Sequence, residues 1–229
     1  MAYRNGPKIV TDGLVLCLDA AGTKSYPGSG TTWYDLSENK RNGTIANATY
    51  NPMNRGVMYF DETNDYVSIS DFSFSNFTIC SFVKLNKIND YQGIMGQADT
   101  IFSNLSFAFR VLNNNKLNIS YSSSGTSTSG YGELNSYLPL TSGVWYYLCT
   151  SFNKPDLKLY INGIEDNSTS FNADFYNSTS SFIIGGYAYG TGLSYLLNGY
   201  IGSISFYNRA LTSDEITQNF NATRGRFGV

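Results

Sequence analysis

Seven carboxylates stand close enough in pairs or triplets to be asked for chemistry: Asp61, Glu62 and Asp65 in DETND, Glu165 beside Asp166, and Asp214 beside Glu215. Acids that work on a sugar face each other across it, roughly 5 to 9.5 Å apart. On a single strand they would stand two or four residues apart. The acids here lie in turn-forming or helix-starting stretches, where Asp and Glu serve backbone N–H groups. No catalytic residue is assigned. The chain has no histidine, which removes the usual general base and most triads, and leaves a cysteine nucleophile without its activator.

Cys17, Cys80 and Cys149 are far apart, odd in number and inside strand-like runs. That matches neither a zinc spacing nor a disulfide framework. They read as small buried hydrophobes in a reducing compartment. No cofactor is required by any motif, since a phosphate-cradling G-x-x-x-x-G-K-S/T loop is absent. Calcium is the one cation with a candidate set: Asp61, Asn64 and Asp65 bring oxygen ligands within a short stretch. The spacing is not that of an EF-hand, and Asx turns would use the same side chains.

The remaining chemistry is noncovalent. Tyr187, Tyr189 and Tyr195, in the glycine-punctuated YAYGTGLSY, offer ring faces for sugars, with Asn and Asp side chains for hydroxyls. A chain with 19 tyrosines also places several on loops by chance. Tyr3 and Arg4 in front, and Arg224, Arg226 and Phe227 behind, mix charge with an aromatic anchor as docking surfaces do. Ordinary surface tails have the same composition.

The elements that must hold these groups read as strands. Aromatics make up 16% of 229 residues and charged residues only 14%, which suits pleated, half-buried structure. Leucines alternate in GLVLCLDA, and the same period recurs in Phe107, Phe109 and Val111, in Leu117, Ile119 and Tyr121, and in Leu157, Leu159 and Ile161. Each of the last three is expected to have one dry and one wet face. FTICSFV, VWYYLCTSF and SFIIGG are apolar on both sides, as for strands between the core and a further layer. Asn42-Gly43, Lys154-Pro155-Asp156 and Asn162-Gly163 are turn signals, and the polar stretches 113–116 and 122–132 read as exposed loops. One short helix is predicted in LTSDEITQNFNA, with Thr212 and Glu215 at capping-box spacing.

No repeat or composition shift divides the chain, so residues 1–229 are expected to form one domain with an arm at 1–12 and a tail at 222–229. The net charge of −2 without a basic cluster argues against nucleic acid. No apolar leader or ~20-residue span appears, which predicts synthesis in a cytoplasm without a signal peptide and no membrane insertion.

GLVLCLDA, FDETNDYVSI, FTICSFVK, WYYLCTSFN, LKLYINGI and GYIGSISFYNRALTSDEI resemble, in order, the strands of a concanavalin A-like, laminin G-type domain. The resemblance covers nearly the whole chain. It implies an all-β fold, an antiparallel two-sheet jelly-roll sandwich with one short C-terminal helix, and a first strand lying beside the strand of Ile204 and Phe206. Such proteins often carry Trp in the strand written here as FTICSFVK, which has Phe82. The E-x-D-x-x-E strand of glucanases of this fold is absent. More narrowly, the opening GPKIVTDGLVLCLDAAGTKSYPGSGTTWYDLSENKRNGTI and the ending NATRGRFGV resemble laminin G-like proteins of tailed bacteriophages. That implies a non-enzymatic virion protein partnered by capsid or tail proteins. The alternatives are an adhesion module for host surface polysaccharide and a glycoside hydrolase.

Overall fold

The structure, a computed structural model, describes residues 8–98, 104–189 and 192–229. Its strands are β1 (Leu14–Asp19), β2 (Thr32–Trp33), β3 (Gly43–Ala46), β4 (Thr49–Asn51), β5 (Val57–Asp61), β6 (Tyr66–Ile69), β7 (Phe77–Leu85), β8 (Gln92–Gln97) and β9 (Phe107–Val111). They continue as β10 (Lys116–Ser122), β11 (Tyr131–Pro139), β12 (Trp145–Asn153), β13 (Asp156–Ile161), β14 (Ile164–Ser170), β15 (Phe182–Ile184), β16 (Tyr187–Tyr189), β17 (Gly192–Ser194) and β18 (Asn198–Tyr207). One helix, α1 (Ser213–Thr223), follows.

Two antiparallel sheets face each other. The first runs β14-β13-β12-β7-β18-β5-β4, with β1 also paired to β18. The second runs β11-β10-β9-β8-β15-β6-β3-β2, and β16–β17 forms a separate two-stranded ribbon. Leu16 stands opposite Phe206 and Leu18 opposite Ile204, so the first strand does pair with the last. Between the sheets lie Leu16, Leu18, Trp33, Phe77, Phe107, Phe182 and Phe206, all fully buried. Each such side chain contributes about 1.5–3 kcal/mol over an exposed one.

A second apolar layer covers the outer face of the first sheet. Phe82, Trp145, Tyr147 and Tyr160 pack there beneath Ile216 of α1 and Phe227, which is why β7 and β12 are apolar on both faces. The helix starts as its sequence predicts: Thr212 Oγ1 accepts the Glu215 N–H, and Glu215 accepts the Thr212 N–H. Asn219 fastens it to the sheet, donating to the Tyr207 hydroxyl at 3.0 Å and accepting the Val10 N–H at 2.7 Å.

Three expectations are corrected. The outer faces of β9 and β10 are not wet: Ala108, Arg110, Asn118 and Ser120 are buried, and Arg110 donates hydrogen bonds both to Tyr187 of the β16–β17 ribbon and to Asn118, which in turn donates to Asn135. Asn162-Gly163 makes the β13–β14 hairpin with both residues at positive φ, but Asn42-Gly43 makes none, and Asn42 instead accepts the Asp35 N–H. The C-terminal tail is not free. Phe227 is buried and stacks on Phe82 at 4.1 Å between centroids. Arg226 pairs with Asp19 and donates to the carbonyls of Asn54, Gly56 and Gly202. Burying an aromatic ring outweighs leaving it in water, and a Cβ on Gly202 would stand 2.4 Å from that ring. Arg224 remains exposed, over the Phe220 ring.

Candidate functional site

What covers β9 is the β16–β17 ribbon, and glycines in β8 admit it. A Cβ on Gly96 would lie 2.6 Å from Tyr187 Cβ, and one on Gly93 would lie 2.6 Å from Gly186 Cα. Without those side chains the ribbon lies directly on the sheet, and Tyr187 is only 4% exposed. Under it, Arg110 Nη1 donates to the Tyr187 hydroxyl, Nε to Asn118 Oδ1 at 2.9 Å and Nη2 to Glu133 Oε1 at 3.0 Å. The Tyr131 hydroxyl donates to the same Glu133 oxygen.

Burial works against the Arg110 charge, but Tyr187, Tyr131 and Glu133 outweigh it, so the guanidinium is held above its ordinary value. Burial also pushes the Tyr187 phenol up, opposed only in part by Arg110. Tyr131 is pushed up to about 12, by burial first and then by its bond to Glu133. Every polar group named here is partnered, and the network supports the ribbon from below.

At the rim, the chain leaving the ribbon meets the β5–β6 and β7–β8 connections and leaves a cleft of about 210 Å³. Tyr91 and Tyr195 face it, with centroids 5.0 Å apart and rings inclined at 57°. Tyr195 also stacks on Tyr187 at 5.1 Å, so the buried ring braces the one in the cleft. Its φ of 51° is unusual for an aromatic residue. Such backbone persists only where the surroundings hold it, and here the Tyr195 carbonyl accepts the Gly93 N–H at 2.6 Å.

Glu62 and Asp90 line the same cleft. Lys87 Nζ lies 2.6 Å from Glu62 and 2.7 Å from Asp90. Asn198 donates to the other Glu62 oxygen at 3.1 Å. The Lys87 hydrogen bond holds the Asp90 carboxyl below its ordinary value. Two angled aromatic rings beside two carboxyl groups suit a ligand that is apolar on its faces and hydroxylated at its edge.

The family model described as the concanavalin A-like lectin/glucanases superfamily, Laminin_G_3, matches residues 61–217. The chain belongs to this family. No curated protein matches the chain. Among solved structures, this laminin G-type chain is similar to domain 4 of AbnA, a GH43 extracellular arabinanase from Geobacillus stearothermophilus, in complex with arabinotriose. The TM-score is 0.72 at 16% identity, covering 93% of this chain and 100% of that one. The binding domain of Paraclostridial Mosquitocidal Protein 1 gives 0.68 at 18% identity, covering 91% and 52%. Trypanosoma rangeli sialidase in complex with sialic acid gives 0.71 at 17% identity, covering 96% and 35%. The chain thus spans about half of the toxin domain and about a third of the sialidase. At these identities the likeness is one of fold.

In this laminin G-type chain the three predicted sugar-facing tyrosines part company. Tyr195 faces the cleft. Tyr187 is a buried brace, a correction to its reading as an open ring face. Tyr189 ends β16, and its side chain lies outside the described residues, as do Tyr3 and Arg4. Asp61 and Asp65 do the work of turns: Asp61 Oδ1 accepts the Thr63 N–H at 2.8 Å, and Asp65 Oδ2 accepts the Asp61 N–H at 2.9 Å. Asn64 offers its carbonyl to Asn47. Among the described residues no group of three His, Cys, Asp or Glu side chains could hold a metal ion, and no helix is long and apolar enough to cross a membrane.

Sequence reasoning missed Tyr91, Lys87 and Asp90, and took Glu62 for a turn residue. The available signal was two glycines, Gly93 and Gly96, within one short apolar run, and glycine inside a strand marks close approach by other backbone.

Proposed function

We propose that this chain is a non-enzymatic recognition module that holds a saccharide against the paired rings of Tyr91 and Tyr195, and that it does so on a bacteriophage particle, attached to capsid or tail proteins. The observation that carries the sugar reading is the pair of inclined tyrosine rings above Glu62, Asp90 and Lys87. Ring faces cover the apolar side of a sugar, and the charged groups exchange hydrogen bonds with its hydroxyls. The arabinanase domain solved with arabinotriose and the sialidase solved with sialic acid support that ligand class.

The charges at the cleft speak against catalysis. A glycosidase acid must hold its proton near neutral pH, which calls for a raised pKa. Asp90 is shifted the other way, and Lys87 sits against both carboxylates. The particle setting rests on the resemblance of both ends of the sequence to phage laminin G-like proteins.

Binding of host envelope polysaccharide and of a glycan array, followed by calorimetry, tests the reading. Tyr91→Ala and Tyr195→Ala are each expected to weaken binding by about tenfold or more, equivalent to ~1.4 kcal/mol, and no reducing ends should be released. Silence on every glycan, with the chain found in purified particles by mass spectrometry, would leave decoration without adhesion. Release of reducing ends would restore the hydrolase.

A further inference from the structure

On the opposite outer face of the sandwich, beside the start of α1, lies a second cleft of about 420 Å³. That volume is within the range of small-molecule sites, ~300–1,000 Å³. Its floor is the outward row of the β12–β13 hairpin, where Ser151 pairs with Lys158 and Asn153 with Asp156, with Tyr160 one step further on. Its wall is the segment 209–213 that leads into α1.

Two floor hydroxyls stand out. Ser151 is 3% exposed and Tyr160 2%, yet both line the cleft. Among the described residues neither hydroxyl makes a hydrogen bond to protein, although Thr78, beside Ser151 on β7, is fully engaged by the carbonyl of Arg209 and the N–H of Leu211. Neither oxygen is sealed from water, so both open on the cleft and can exchange a water for a ligand hydroxyl.

The charges select among partners. Arg209 is spent on a two-pronged pair with Glu215 and on Asp12, and Lys158 on Glu165. Both cations that line the cleft are already paired with carboxylates, whereas the exposed Asp156 has no ion-pair partner among the described residues and can accept hydrogen bonds from hydroxyls. Phosphate and sulfate are therefore disfavoured. We infer that this cleft is a second binding site, for a neutral polyhydroxylated ligand of the saccharide class. It shares no residue with the Tyr91–Tyr195 cleft, so it does not require that site to be correct. Two sites on opposite faces would let one chain engage two segments of a polysaccharide or two chains.

The test uses the full chain and three neutral probes, maltotriose, cellotriose and arabinotriose, at millimolar concentration, with backbone amide NMR shifts as the readout. Shifts at Ser151, Lys158 and Ser213 should appear with at least one probe, persist in Tyr195→Ala, and weaken roughly fivefold to tenfold in affinity in Tyr160→Phe and in the exposed Asp156→Ala. Silence of these amides with all three probes overturns the inference. So does their indifference to both Tyr160→Phe and Asp156→Ala. Shifts that vanish in Tyr195→Ala would trace the effect to the first cleft, overturning this site while supporting the other. Shifts confined to the β12–β13 face would support this site and count against the first.

Discussion

The cysteines show how little a residue's type says about its reactivity until its surroundings are known. Cys80 and Cys149 are directly opposite on β7 and β12, both fully buried, and Cys17 lies two strands away across Ser205. Burial first, and then the charges of Asp19 and Asp35, push the Cys17 thiol up to about 12. Burial likewise drives Cys149 up. Since only the thiolate attacks, the native protein at pH 8 should take up almost no iodoacetamide, and the denatured chain should be alkylated at all three positions, counted by intact-mass spectrometry. Rapid labelling of the native protein would show that the layer above the first sheet opens readily. Asp35 is the opposite kind of residue: a buried carboxylate that accepts from the Cys17, Ser37 and Arg41 N–H groups and from the Ser37 hydroxyl, and so ties its loop to β1.

At the scale of elements, α1 has a built-in response to acid. Glu215 closes the capping box and pairs with Arg209, and that hydrogen bond above all lowers its carboxyl to about 2, against an ordinary value of 4.5. A carboxyl depressed in the fold stabilises above its unfolded value and loses that contribution as pH falls through the folded one. The helix anchor should therefore be intact above about pH 4.5 and weaken towards pH 2. The pair is partly exposed, which limits the effect to about 1 kcal/mol. Amide hydrogen exchange should show α1 opening before β7 on acidification, and Glu215→Gln should produce the same difference at pH 7. The capping box was legible in the sequence because its partners are three residues apart. The ribbon over β9 was not, since nothing in the local pattern of Ala108 and Arg110 says that a segment some eighty residues later will cover them.

Across the whole molecule, closure depends on β1. It joins β18, while the N-terminal arm meets α1 through Gln218 and the Lys8 carbonyl, so the two ends of the described chain share one corner of the sandwich. Leu16→Ala should then act globally, lowering stability by about 2–5 kcal/mol. In urea this would appear as a lower midpoint with an unchanged slope. A changed slope, or a local loss of protection confined to β1, would mean that the strand docks as a separate unit.

The sequence by itself determined the strands β1, β7, β9, β10, β12 and β13, the capped helix, the buried thiols and the layering of β7 and β12, because each depends on periodicity or on partners a few residues apart. It marked Tyr195 as a residue worth watching. Only the tertiary structure decided that Tyr187 braces it, that Phe227 and Arg226 belong to the fold, and that Tyr91, Glu62 and Asp90 meet at one cleft with Lys87 bridging the two acids. Those contacts join segments tens to hundreds of residues apart, and their geometry is set by how two sheets and a ribbon pack rather than by any local preference of the chain.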